Sequence, residues 1–148
     1  MSKVLIVYCT MTGNTRTAAE AIADGVKSAG GEAVMKDGCQ AVPEDLLKCD
    51  AVAFGSYDAF SYMGGGLKNF FDRAFYPTQN AITGKPYAAF VTHGGGGKAV
   101  QSIESVAQTF KLNKAADSVL VKGRPDEQAV AGLQELGKKL VAAGNSKT

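Results

Sequence analysis

Five times along the chain, an apolar run gives way to a segment with helical spacing. KVLIVY (3–8) is continuously apolar, which predicts a strand buried on both faces. The helix after it runs from about Asn14 to Ala29 and stops at Gly30-Gly31. EAVMKDG (32–38) is shorter and more polar, an edge-strand pattern, and a short helix spans Pro43 to Lys48. DAVAFGS (50–56) is the next buried strand, followed by the loop SYDAFSYMGG and a helix over Gly66–Tyr76 that Pro77 ends. KPYAAFVTH (85–93) and DSVLVKG (117–123) are the fourth and fifth strands, with a helix from Lys98 to Phe110 between them. Pro125 opens the last helix, with Asp126 and Glu127 in its first turn and Lys138 and Lys139 near its end.

That alternation predicts an α/β fold with a five-stranded parallel sheet and right-handed crossovers. A weak second strand beside buried first and third strands favours the order 2-1-3-4-5. The order then reverses between the first and third strands. The loops 10–15 and 56–65 flank the resulting crevice, and the loop 92–97 is the next neighbour. All three have unusual composition.

The first, TMTGNT, precedes a helix with no acid before Glu20, although helix first turns favour Asp or Glu. Thr10, Met11, Thr12, Gly13, Asn14 and Thr15 form a loop suited to a phosphate. Gly13 permits a turn that aims successive N–H groups at an anion, and the hydroxyls add donors. The alternative is an ordinary cap, with Thr12 or Asn14 bonding its own helix. No GxxxxGK[ST] is present, and six residues separate Cys9 from Arg16 where a cysteine phosphatase loop has five. A receiver-type Mg²⁺ site lacks its carboxylates, since the first strand ends YCTMTG.

The second loop interleaves Tyr57, Phe60, Tyr62 and Met63 with small residues. Flat apolar side chains beside glycines suit a planar heterocycle. A core-covering role or a partner surface is the alternative. The third loop, THGGGGKA, places four glycines at a strand-to-helix junction, where a backbone passes close to a ligand or simply turns. His93 either contacts a ligand or is solvated.

Composition narrows the class. The 148 residues fit one domain, and a net charge of +2 without charge blocks argues against nucleic acid or a membrane surface as partner. The three cysteines, Cys9, Cys39 and Cys49, form no CxxC, so free thiols in a reducing, cytoplasmic setting are expected. No stretch approaches the ~18 apolar residues of a membrane span.

TMTGNT after a first strand resembles the phosphate loop of flavodoxins, T/S-x-T-G-x-T. GSYDAFSYMGGGLKNFFDR resembles the second loop and helix of flavin-dependent NAD(P)H:quinone oxidoreductases, with Phe60, Met63, Gly65, Phe70 and Asp72 on matching positions. THGGGGKA is similar to their third loop. The resemblance implies a three-layer flavodoxin-like fold of the short-chain type over residues 1–148 and FMN as cofactor. Thr10 to Thr15 would hold the 5′-phosphate. Ser56, Tyr57, Asp58, Ala59, Phe60, Met63, Gly64 and Gly65 would meet the ribityl chain and ring. Thr92, His93, Gly94, Gly95, Gly96 and Gly97 would line the ring's other side. No catalytic side chain or metal ligand is implied. Function as a low-potential electron carrier follows, with a reductase and an electron acceptor as redox partners, as monomer or weak homodimer. The alternative is an FMN-dependent NAD(P)H:quinone oxidoreductase. Flavodoxins are usually acidic, whereas this chain is slightly basic and has no Trp.

Overall fold

The computed structural model describes residues 1–146. β1 (Lys3–Tyr8) pairs in parallel with β2 (Glu32–Asp37) on one side and β3 (Ala51–Ala59) on the other. β3 pairs in turn with β5 (Pro86–His93), so the strand order reverses between β1 and β3 as the sequence predicts. The fifth strand comes in two pieces, β6 (Asn113–Lys114) and β7 (Val119–Lys122), both parallel to β5. Residues 117–118 lie outside it, because the intervening Ala-Ala-Asp-Ser is poor in strand formers and Ser118 bonds Glu104 instead.

Alternate residues of each central strand enter opposite layers. Leu5, Val7, Val52, Phe54 and Val91 pack beneath α2 (Pro43–Lys48), α3 (Gly65–Thr78) and α4 (Ala99–Thr109). Val4, Ile6, Ala53, Ala88 and Phe90 pack beneath α1 (Asn14–Ser28) and α5 (Glu127–Asn145). α1 and α5 cross at backbone contact. A Cβ on Gly25 would lie 2.0 Å from the Gln134 carbonyl oxygen, and one on Gly137 would lie 2.3 Å from that of Ile22.

Three boundaries differ from expectation. β3 runs three residues past Ser56 and folds back through Phe60-Ser61 into β4 (Tyr62–Met63), so much of the expected second loop is a hairpin. α3 continues through Pro77, since the ring falls in the last turn and the Thr78 hydroxyl donates to the Ala74 carbonyl at 2.8 Å. α5 extends to Asn145, which leaves Lys138 and Lys139 mid-helix, and Asp126 is its cap rather than a first-turn residue. No helix among the described residues is long and apolar enough to cross a membrane.

Candidate functional site

The first loop is built around one left-handed residue. Gly13 has φ +97° and precedes α1; its N–H donates to Thr10 Oγ1 at 3.0 Å. Its carbonyl accepts from the Thr17 N–H at 3.0 Å and the Thr17 hydroxyl at 3.1 Å. No side chain caps α1, so the capping alternative for Thr12 or Asn14 is not what the structure adopts. The N–H groups of Asn14, Thr15 and Arg16 have no intrahelical acceptor, as at any helix start. Thr12 and Met11 are exposed beside them.

Ser56 ties the first loop to the second. Its hydroxyl accepts from the Gly64 N–H at 2.7 Å and from the Cys9 thiol at 3.4 Å, and donates to the Tyr57 carbonyl at 2.6 Å. Burial pushes the Cys9 thiol above its ordinary pKa, partly offset by the Ser56 hydrogen bond. At neutral pH Cys9 is therefore a protonated structural thiol and a poor nucleophile. Tyr57 is half-buried with its ring against Gly64, where a Cβ would meet Tyr57 Cζ at 2.5 Å. Met63 is buried in the core, so its side chain serves packing.

The hairpin turn puts Phe60 (φ 56°) and Ser61 (φ 67°) in the left-handed region, a conformation uncommon for non-glycine residues. Phe60 is fully exposed at the tip, and Tyr62 is partly exposed next to it. Asp58 fixes this arrangement. Its carboxylate accepts from the Ser61 N–H at 2.7 Å and from the Ala99 N–H, at the start of α4, at 3.2 Å. Thus Asp58 clamps the second loop to the third. Ala59 ends the strand ahead of the turn.

Thr92 and His93, expected in the third loop, are the last two residues of β5, and the Thr92 hydroxyl meets that of Thr15 at 2.7 Å in the interior. His93 folds back on the loop: a Cβ at Gly97 would lie 3.2 Å from its Cδ2. His93 Nδ1 is buried without a hydrogen-bond partner, so this histidine is not a freely solvated one. Gly94, Gly95 and Gly96 are exposed, and a Cβ on Gly94 or Gly95 would touch nothing within 4 Å. The same holds for Gly65, the first residue of α3. A flat group therefore has room to approach the backbone at these positions.

One signal escapes a reading confined to α1. The helices behind all three loops, α1, α3 and α4, have no acid in the first turn and no side-chain cap. The two behind the flanking strands do carry acids: Glu44 and Asp45 in α2, and Glu127 after the Asp126 cap in α5. Each helix end contributes roughly +0.5 of an elementary charge. The uncompensated ends lie along the middle of the sheet's carboxyl edge. Their acid-free turns were visible in the sequence; that they form one group became visible only with the helix boundaries. The positioning residues Thr17 and Ser102 carried no motif signal, and Asp58, expected from the resemblance at the ribityl chain and ring, has its carboxylate on the Ser61 and Ala99 N–H groups. The Ser102 hydroxyl accepts from the Met63 N–H at 3.0 Å.

A family model described as Flavodoxin matches residues 6–139. A curated flavodoxin of Aquifex aeolicus strain VF5 is 39% identical over 98 residues, covering 66% of this chain and 53% of that protein. The chain thus spans about half the length of that relative. Among solved structures, a flavodoxin from the domain Archaea superposes with a TM-score of 0.87 at 23% identity, over 97% of this chain and 99% of that one. The flavodiiron protein of Giardia intestinalis gives 0.87 at 24% identity, over 99% of this chain and 37% of that larger one. At these identities the structural matches speak for the fold. The family match runs from β1 into α5 and spans all three loops at the point where strand order reverses, and on it the chain belongs to the flavodoxin family.

Proposed function

We propose that the chain binds FMN and carries electrons at low potential between a reductase and an acceptor. The observation that carries this reading is the start of α1: three N–H groups without intrahelical acceptors, no acid and no side-chain cap, behind a Thr10–Gly13 turn. Such an end favours a phosphate. The Asn14, Thr15 and Arg16 N–H groups and the Thr12 hydroxyl would hold it. The exposed glycines of the third loop, together with Ala59 and Gly65, would let backbone amides approach a flat ring. Bound flavin supplies the electron chemistry, and the protein supplies binding, orientation and tuning. Phe60 and Tyr62 would exclude water on one side, and exclusion of water disfavours added negative charge there.

The test is direct. Purified protein should show a flavin absorption spectrum, or acquire one when FMN is added to flavin-free protein, and stepwise reduction should then give its potential. Thr12→Glu should abolish FMN binding by setting a carboxylate against the phosphate; undiminished binding would remove the phosphate assignment. A second reading, an FMN-dependent NAD(P)H:quinone oxidoreductase, is favoured by the Phe60 and Met63 pattern. Rapid steady-state oxidation of NAD(P)H with a quinone would move the assignment there.

A further inference from the structure

β1 and β2 finish side by side, and each delivers a cysteine to the same spot. Their parallel pairing runs up to Tyr8 and Asp37, and the Gly38 N–H then donates to the Tyr8 carbonyl at 2.8 Å. Cys9 follows Tyr8 directly, and Cys39 follows Gly38. Gly66, the second residue of α3, lies against both. A Cβ there would sit 2.9 Å from Cys9 Cβ and 3.7 Å from Cys39 Sγ, so one methyl group would touch the two cysteine side chains together.

The two thiols differ in exposure, and that sets an order of events. Cys39 is exposed, whereas Cys9 is buried and donates to Ser56. Cys39 is also held in place. Its own N–H donates to Asp37 Oδ1 at 2.9 Å, and the Gln40 N–H donates to the Asp37 carbonyl at 2.9 Å. Arg73, on α3, grips the same turn from both sides, donating to the Gly38 carbonyl at 2.7 Å and the Ala41 carbonyl at 2.9 Å. Cys49 is placed differently. It is buried at the opposite end of the sheet, where β1 and β3 begin, and burial pushes its thiol up to about 11.

We propose that Cys9 and Cys39 are a modification site at the root of the first loop, where a small aliphatic disulfide oxidises them to a reversible protein disulfide. Cys39 attacks one sulfur of the small disulfide; that S–S bond breaks, and the other half leaves as a thiolate and takes the Cys39 proton. The Cys9 sulfur then attacks the Cys39 sulfur of this mixed disulfide, expels the second small thiolate and gives its proton to it. Two protein thiols are oxidised, and one small disulfide is reduced to two thiols. Burial of Cys9 makes the second step the slow one, and its place beside Cys39 makes that step intramolecular. Turning Cys9 Sγ toward Cys39 takes a donor from the Ser56 hydroxyl, which holds the Gly64 N–H, and shifts the residue before Thr10. The oxidised chain therefore binds the ligand of the first loop more weakly. That consequence rests on the FMN reading above; the disulfide does not.

The test exposes the full chain to oxidised glutathione and follows it by mass. The chain should lose two hydrogens, and peptide mapping without reduction should find Cys9 joined to Cys39 with Cys49 free. A reducing thiol should restore the starting mass. Cys39→Ser, a change at an exposed position, should leave Cys9 unmodified under the same treatment. FMN titrated into the oxidised chain should bind roughly tenfold more weakly than into the reduced one, the scale of a lost hydrogen bond in the site. A chain that stops at the mixed disulfide on Cys39, or that joins Cys39 to Cys39 of a second copy, would overturn the site. A Cys9–Cys39 bond that leaves FMN affinity unchanged would overturn its link to the first loop. A chain that forms the bond yet binds no FMN in either state would retire the carrier reading and keep the disulfide.

Discussion

The Thr15 and Thr92 hydroxyls meet at 2.7 Å, both buried, and join the start of α1 to the end of β5. This single hydrogen bond holds the first and third loops at a fixed spacing. Replacing one partner leaves the other unsatisfied in the interior, which costs about 1–3 kcal/mol. Thr15→Val and Thr92→Val should each destabilise by that order in urea unfolding, and the double variant should lose less than their sum. Additive losses would show that the two hydroxyls act independently.

Phe60 should affect folding and binding with opposite signs. Its φ of 56° is costly for an L-residue, by about 1–2 kcal/mol, and its exposed ring makes no compensating packing. Phe60→Gly relieves that strain but loosens the unfolded chain, so stability should rise by up to about 1 kcal/mol. FMN affinity should fall in the same variant. A less stable protein with unchanged affinity would contradict both halves.

Glycines on α5 should divide by what faces them. Gly137 sits against the Ile22 carbonyl, and alanine there must push α1 away, at a cost of about 1–3 kcal/mol or more. Gly132, one face away, has nothing within 4 Å. Gly132→Ala should stabilise by about 1 kcal/mol through helix propensity alone. Thermal melts of the two variants should therefore move in opposite directions; a shared direction would refute the close-crossing account.

Acid sensitivity should be partly traceable to Asp45. Burial acts to raise its pKa, but the Val42 N–H and the Lys36 ammonium at 2.9 Å outweigh it, and the carboxyl sits below the ordinary 3.8. The folded state thus binds this proton less readily than the unfolded one. The stabilisation is complete above 3.8 and is lost as pH falls through the lower folded value. Asp45→Asn should flatten the dependence of stability on pH in that acid range. An unchanged slope would show that Asp45 is not a source of it.

Much of this fold was legible because periodicity and burial agree. KVLIVY is apolar throughout and alternates into two buried layers, as a central parallel strand must. The polar EAVMKD lies at the edge for the converse reason. What failed was legibility of hydrogen bonds between distant segments. Nothing in SYDAFSYM announces that Asp58 will stabilise a tight hairpin with Phe at a left-handed position, where Asn or Gly is the usual choice. The break in the fifth strand likewise depends on Glu104, which binds both Ser118 and Lys114 from another element. In the candidate site, the expected strand order marked the loops correctly as neighbours. Which side chains face outward did not follow from type: Met63 turns into the core while Phe60 stands clear of it.

The acid-free starts of α1, α3 and α4 set folding robustness against ligand capture. Any carboxylate placed in the first turn of one of them would relieve a repulsive field in the empty protein. At α1 the same carboxylate would also compete with the proposed phosphate for the helix end. Selection of variants for heat resistance alone should therefore drift toward Asp and Glu at these turns, and on the proposed reading the hardier chains it returns would bind an anion at α1 less well.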